Sequence, residues 1–130
     1  MGTYLWIALG SALGGVARYG CSNWAAAVFG YRFPLGTLLI NILGSFVIGA
    51  AATLTAPGSR FAIPGDARLF ITVGLCGGYT TFSSFSLQTL ELLREGDWLA
   101  AGMNVVSSVV LCLVAVWAGH MLATLLEPVT

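Results

Sequence analysis

The sequence predicts an all-α membrane protein with four transmembrane helices, and three observations carry that prediction. Only 8% of the 130 residues are charged and 58% are hydrophobic, whereas a soluble domain carries about 25% charged residues. Four apolar runs each reach the roughly 20 residues that a spanning helix needs. Clusters of Gly, Pro and charged residues punctuate the runs and nothing else does. Residues 1–130 read as a single four-helix transmembrane domain, without a repeat or low-complexity tail.

The first helix is expected over Thr3–Phe29. A secretory signal peptide begins with a positive segment. Here no Lys or Arg precedes Arg18, so the segment reads as a retained membrane helix. "GYRFP" (Gly30–Pro34) ends it, and Pro34 can open the second helix, Leu35–Ala56. "PGSRFAIPGD" (Pro57–Asp66) supplies a loop with two Pro-Gly pairs. The third helix is expected over Ala67–Arg94, broken near Gly77–Thr80, "EGD" (Glu95–Asp97) makes a tight turn, and the fourth runs Trp98–Leu126. Tyr4, Trp6, Trp24 and Trp98 fall near helix ends, where amphipathic rings prefer the membrane interface.

Composition excludes several functions. The formal net charge is zero and the five cations are all arginines, so there is no basic footprint for nucleic acid. The three cysteines, Cys21, Cys76 and Cys112, lack CxxC spacing and read as small buried residues. His120 is the only histidine, and no acid is placed to orient it as a hydrolase base. Arg60 and Arg68 lie on the side of the termini, Arg32 and Arg94 on the other, and Arg18 alone tilts the balance. A chain so evenly charged could insert either way up. Four helices also have few walls with which to enclose a polar path, so self-association is expected. Small residues spaced by four (Gly10/Gly14, Ser11/Gly15, Ser45/Gly49, Ala115/Gly119) suit close helix contacts, between copies or within one chain.

Polar residues at membrane depth are costly and line cavities or meet partners. Three stripes stand out: Thr37, Asn41 and Ser45 on helix 2; Thr81, Ser84 and Gln88 on helix 3, beside Phe82 and Phe85; and Asn104, Ser108 and Cys112 on helix 4. Residues at i, i+3 or i+4 share a helix face. Asn41 suits either an interhelical hydrogen bond or a pore donor, and Phe82/Phe85 suit core packing or a pore wall. Every candidate liner is neutral, so a cation route or proton relay lacks its usual carboxylate. Hydroxyl and amide donors, with the positive edges of phenyl rings, instead suit a small anion that accepts strong hydrogen bonds. Gly77-Gly78 admits two readings: a relaxed backbone whose freed carbonyls bind a cation, or a tight helix crossing. Arg18 snorkels to the interface or draws anions into a vestibule.

"GGVARY" (Gly14–Tyr19), "FPLGTLLINILGSFVIG" (Phe33–Gly49) and "GLCGGYTTFSSFS" (Gly74–Ser86) together resemble the Fluc (CrcB) fluoride channel family over nearly the whole chain. The resemblance implies an antiparallel, dual-topology homodimer that exports fluoride passively through two pores across the bacterial cytoplasmic (inner) membrane. It implies that Asn41 is the pore amide and that Phe82 and Phe85 face the ions. Ser84 and Ser108 would join the hydroxyl track, and Arg18 would sit in a vestibule. Gly77 and Thr80 would give backbone carbonyls to a central structural sodium ion shared by both subunits. The sequence departs from some relatives at Asn104, which stands where an aromatic residue occurs, and at Cys112, which stands for serine. Asn104 keeps an expected lining role, and Cys112 is left undecided. A small dual-topology proton-coupled multidrug exporter is the alternative. It requires a membrane-embedded carboxylate, and the nearest, Glu91, falls near the end of helix 3. An accessory subunit is a third reading.

Overall fold

The computed structural model describes residues 1–127 and is all-helical. Helix α1 spans Gly2–Phe29, and α2 spans Leu35–Leu54. The third predicted helix is divided: a short α3, Gly65–Leu69, runs into a π-helical stretch, Phe70–Cys76, then α4, Gly77–Tyr79, and α5, Phe82–Arg94. Helix α6 covers Trp98–Leu126, as expected.

Local chemistry accounts for the ends. Gly30 closes α1 at φ 75° while its N–H reaches back to the Ala26 carbonyl at 2.9 Å, and Gly96 turns the chain at φ 82° between α5 and α6. These left-handed conformations favour glycine. Asp97 then caps α6 by accepting from Ala100 N–H at 3.0 Å, satisfying one orphan donor of the first turn.

Helix α2 packs most extensively on α6, and α1 packs on the π-helical stretch and α4. Both crossings bring backbone against backbone. A Cβ on Gly49 would strike the Val116 backbone, and one on Gly119 the Phe46 carbonyl. At the α1 crossing, a Cβ on Gly10 would lie 2.9 Å from Gly74 Cα, and one on Gly78 2.6 Å from the Ser11 carbonyl oxygen. These small residues therefore serve packing within one chain. Gly15, by contrast, faces open space.

The core is narrow and made largely of small side chains (Ala25, Ala101, Ala115 and Ala123), with Leu38, Ile40, Phe85 and Leu92 among the larger buried ones. Large apolar residues instead cover the outside of α1, α5 and α6. That is the arrangement of a protein whose solvent is lipid. Helices α2 and α6 are each long and apolar enough to cross a bilayer. At the terminal end, Thr3 donates to Asp66 at 2.7 Å, Arg60 N–H donates to Glu127 at 2.9 Å, and the Arg68 guanidinium donates to the Ala52 carbonyl at 3.3 Å. These contacts tie the loop after α2 to the ends of α1 and α6.

Candidate functional site

The site is built around the break in the third span. The paired glycines do not make it: Gly77 is in ordinary helical conformation (φ −64°, ψ −38°). The chain leaves the helix at Thr80 (φ −80°, ψ 160°) and Thr81 (φ −154°, ψ 113°). Thr81 is then the N-cap of α5. Its hydroxyl accepts from Ser84 N–H at 3.2 Å and donates to Ser84 Oγ at 3.0 Å. Threonine is a preferred capping residue, which is why the helix restarts there.

Two extended residues between apolar helices take backbone polar groups out of the helical ladder, and such groups need partners in an apolar setting. Asn41, on α2, meets them. Its Nδ2 donates to the Thr81 carbonyl at 3.0 Å, and its Oδ1 accepts from Thr81 N–H at 2.8 Å. A primary amide has two N–H donors, so one remains. The pairing also fixes which end of the amide is which, because Thr81 presents a donor to one end and an acceptor to the other. The interhelical-bond and pore-donor readings of Asn41 are thus compatible. One turn along α2, Gly44 makes room for the break: a Cβ there would overlap Thr80 Cγ2.

Beside the break lies a cavity of about 370 Å³ that brings together Asn41, Ser45, Thr80, Thr81, Phe82, Phe85, Ser108 and Cys112. No charged residue lines it. The two rings sit 5.2 Å apart, tilted by 54°. Phe85 is 9% exposed but Phe82 is 77% exposed, so Phe82 is not core packing and reaches out of the chain.

The remaining predicted residues are placed as follows. Ser84 contacts Thr81 but does not line the cavity. Asn104, expected to line the path, is 2% exposed and donates to Thr89 Oγ1 at 3.0 Å. Thr89 in turn donates to the Phe85 carbonyl at 2.8 Å. Asn104 thus joins α6 to α5 behind the cavity, and its stripe splits, with Ser108 and Cys112 alone reaching the cavity wall. Thr37 and Gln88 line a second cavity of about 340 Å³ at the turn end, with Arg32, Glu91 and Glu95. Gln88 Oε1 is buried there without a partner among the described residues. Arg18 is half-buried on α1 and lines neither cavity. Gly77 is exposed and Thr80 half-buried. His120 pairs with Thr53 Oγ1 at 2.8 Å rather than with an acid.

Sequence reasoning missed Cys76, which is buried on the cavity wall, and Arg32, whose pattern resembles any helix-ending arginine. The capping role of Thr81 had a signal in its residue type, but the surrounding Gly and Ser residues masked it.

Apolar crossing helices around an uncharged, largely apolar cavity with a few hydroxyl and amide groups define a helical membrane protein. Residues 5–120 match the family described as CrcB-like protein, Camphor Resistance (CrcB). The chain is 58% identical over 123 residues to the fluoride-specific ion channel FluC of Opitutus terrae, covering 95% of this chain and 93% of the relative. It is 60% identical over 125 residues to the protein of the same name from Rhodospirillum rubrum, covering 96% and 97%. A FluC of Paramagnetospirillum magneticum is 56% identical over 125 residues, covering 96% and 98%. The chain belongs to the CrcB family, whose members are ion channels and not enzymes.

Proposed function

We propose that this protein is a fluoride-selective passive channel of the bacterial inner membrane. Each chain crosses the membrane four times as one domain and works as an antiparallel, dual-topology homodimer with two pores. The observation that carries the reading is the uncharged cavity in which a rigidly held Asn41 amide faces Ser45, Ser108 and the Phe82/Phe85 pair. The relatives that share most of the sequence carry the name fluoride-specific ion channel, which supports fluoride as the ion.

Fluoride enters such a path only if its water is replaced. The free Asn41 N–H and the Ser108 hydroxyl supply donors on the cavity wall, and the ring edges of Phe82 and Phe85 supply partial positive charge. Ser84, whose oxygen accepts from the Thr81 hydroxyl, keeps its own O–H for an ion beyond that wall. Donors held in place before the ion arrives cost no reorganisation. A larger anion gains less from them, because its charge is more diffuse. Phe82, with 77% of its surface uncovered, suits a wall completed by a second copy. Arg18 raises the potential near the membrane surface and favours anion entry. Asn104 acts behind the path, through α5.

The carbonyls of Gly77 and Thr80 are the groups suited to a structural sodium ion. Thr81 N–H would bond the Gly77 carbonyl in a continuous helix but goes to Asn41 instead, and no other donor takes its place among the described residues. Free carbonyl oxygens are hard ligands of the kind alkali cations bind. Gly77 lies on the chain's surface, where two copies could share the ion. When bound, the ion would supply a fixed positive charge that cross-links the two copies.

The test is fluoride and chloride efflux from liposomes holding the purified protein. Fluoride efflux without a proton gradient, and far faster than chloride, is expected. Efflux that requires a proton gradient would instead favour the exporter. In the structure Glu91 lies at the turn-end cavity and not at the break, which leaves that mechanism without its carboxylate.

A further inference from the structure

The Asn41–Thr81 pairing has a second effect on the same backbone. In an unbroken α-helix each N–H bonds the carbonyl four residues earlier, so the partner of Thr81 N–H would be Gly77. Asn41 Oδ1 takes that N–H at 2.8 Å, while Asn41 Nδ2 holds the Thr81 carbonyl at 3.0 Å. The preceding donor, Thr80 N–H, still bonds the Cys76 carbonyl at 3.0 Å. The helical ladder therefore ends at Thr80 N–H; Thr81 N–H is the first donor diverted from it, to Asn41, and Ser84 N–H goes to Thr81 Oγ1.

We propose that Asn41 is a positioning residue for the cation site as well as a donor to the anion path: by capturing Thr81 N–H it keeps the Gly77 carbonyl free for Na⁺. The inference rests on the sodium-bound channel reading and assigns that site its switch. Without the Asn41 amide, Thr81 N–H has no partner in a medium where an unpaired N–H costs several kcal/mol. Its available acceptor is the Gly77 carbonyl. The helix would close through the break and withdraw a ligand from the cation. Linkage makes the effect reciprocal. Na⁺ on the Gly77 carbonyl excludes the helical bond, holds Thr81 N–H on Asn41, and so keeps the remaining Asn41 N–H aimed for the anion. One side chain then serves two ions of opposite charge.

The experiment measures thermal unfolding of the purified protein against Na⁺ concentration, a readout independent of flux. Wild-type protein is expected to gain stability as Na⁺ rises. Asn41→Ala should need about tenfold more Na⁺ for the same gain, which corresponds to one competing hydrogen bond. Ser107→Ala, half-buried on α6 and lining neither cavity described above, should leave the Na⁺ dependence unchanged. Replacing the Thr81 backbone N–H with an ester oxygen in the Asn41→Ala background should restore the wild-type Na⁺ dependence, because no donor is left to close on Gly77. A general packing role for Asn41 predicts no such rescue. An unchanged Na⁺ dependence in Asn41→Ala, or a failed rescue, overturns the inference. If Asn41→Ala does not fold, the ester at Thr81 beside native Asn41 decides: a rise in half-saturating Na⁺ overturns it, and a value at or below wild type supports it. Absence of any Na⁺ effect on the wild type also overturns it, whereas the fluoride reading is decided separately by liposome efflux.

Discussion

Asn41 sets the terms at the scale of single residues. A carboxylate in its place could still accept from Thr81 N–H, but it would turn an oxygen toward the Thr81 carbonyl and bring negative charge to an anion path. Asn41→Asp is therefore expected to cut fluoride flux by at least about tenfold, as expected for losing a hydrogen bond to a charged group; wild-type efflux would remove Asn41 from the path. Phe82→Ile should lower flux about tenfold through loss of the ring edge while the dimer, followed by size-exclusion with light scattering, stays intact. Cys112 is half-buried on the cavity wall, so a methanethiosulfonate reagent should slow efflux in the wild type and spare Cys112→Ser. Asn104→Ala should behave differently from all of these. It leaves Thr89 Oγ1 without its α6 partner and should cost about 1–3 kcal/mol of stability, read as a lower melting temperature with fluoride-over-chloride selectivity kept.

At the scale of elements, the third span carries the fold's irregularities, and it is also where the sequence was least legible. The outer boundaries of the four predicted spans were readable to within two residues because Gly, Pro and Asp mark them. The interior was not. The break expected near Gly77–Thr80 is present, but the paired glycines stay helical and the chain leaves the helix only at Thr80–Thr81. A pair of hydrogen bonds with an asparagine 40 positions earlier in the chain holds that backbone, and no local propensity encodes it. The same limit explains Asn104: its spacing matches Ser108, yet a small rotation of α6 sends one to Thr89 and the other to the cavity. The glycines have their own test. Gly78→Ala would press a methyl group onto the Ser11 backbone and should cost about 1–3 kcal/mol by overpacking. Gly15→Ala, facing open space, should be neutral in the same melting assay.

At the scale of the whole molecule, the balance of arginines between the two ends becomes a condition of assembly if two copies must face opposite ways. Adding lysines to the Pro57–Pro64 loop should bias insertion to one orientation and reduce flux. Co-expression with a chain carrying lysines in the Gly30–Phe33 turn should restore it; full flux from the first chain alone would count against antiparallel pairing. The π-helical stretch Phe70–Cys76 bears on the history of such a chain. A π-turn holds more residues than an α-turn and commonly marks a single-residue insertion into an older helix. Rewinding the same seven residues as α-helix would turn everything beyond them by roughly 100°, moving the break away from Asn41 and the Phe82/Phe85 pair out of the cavity. Removing one residue would instead let the stretch close as α-helix with the later residues still on their faces, because the π-turn already absorbs an extra residue. Hydrogen-bond pattern and residue count are thus coupled in this stretch, so homologues with one residue fewer between Phe70 and Cys76 should keep the conduction path and carry a regular α-helix there.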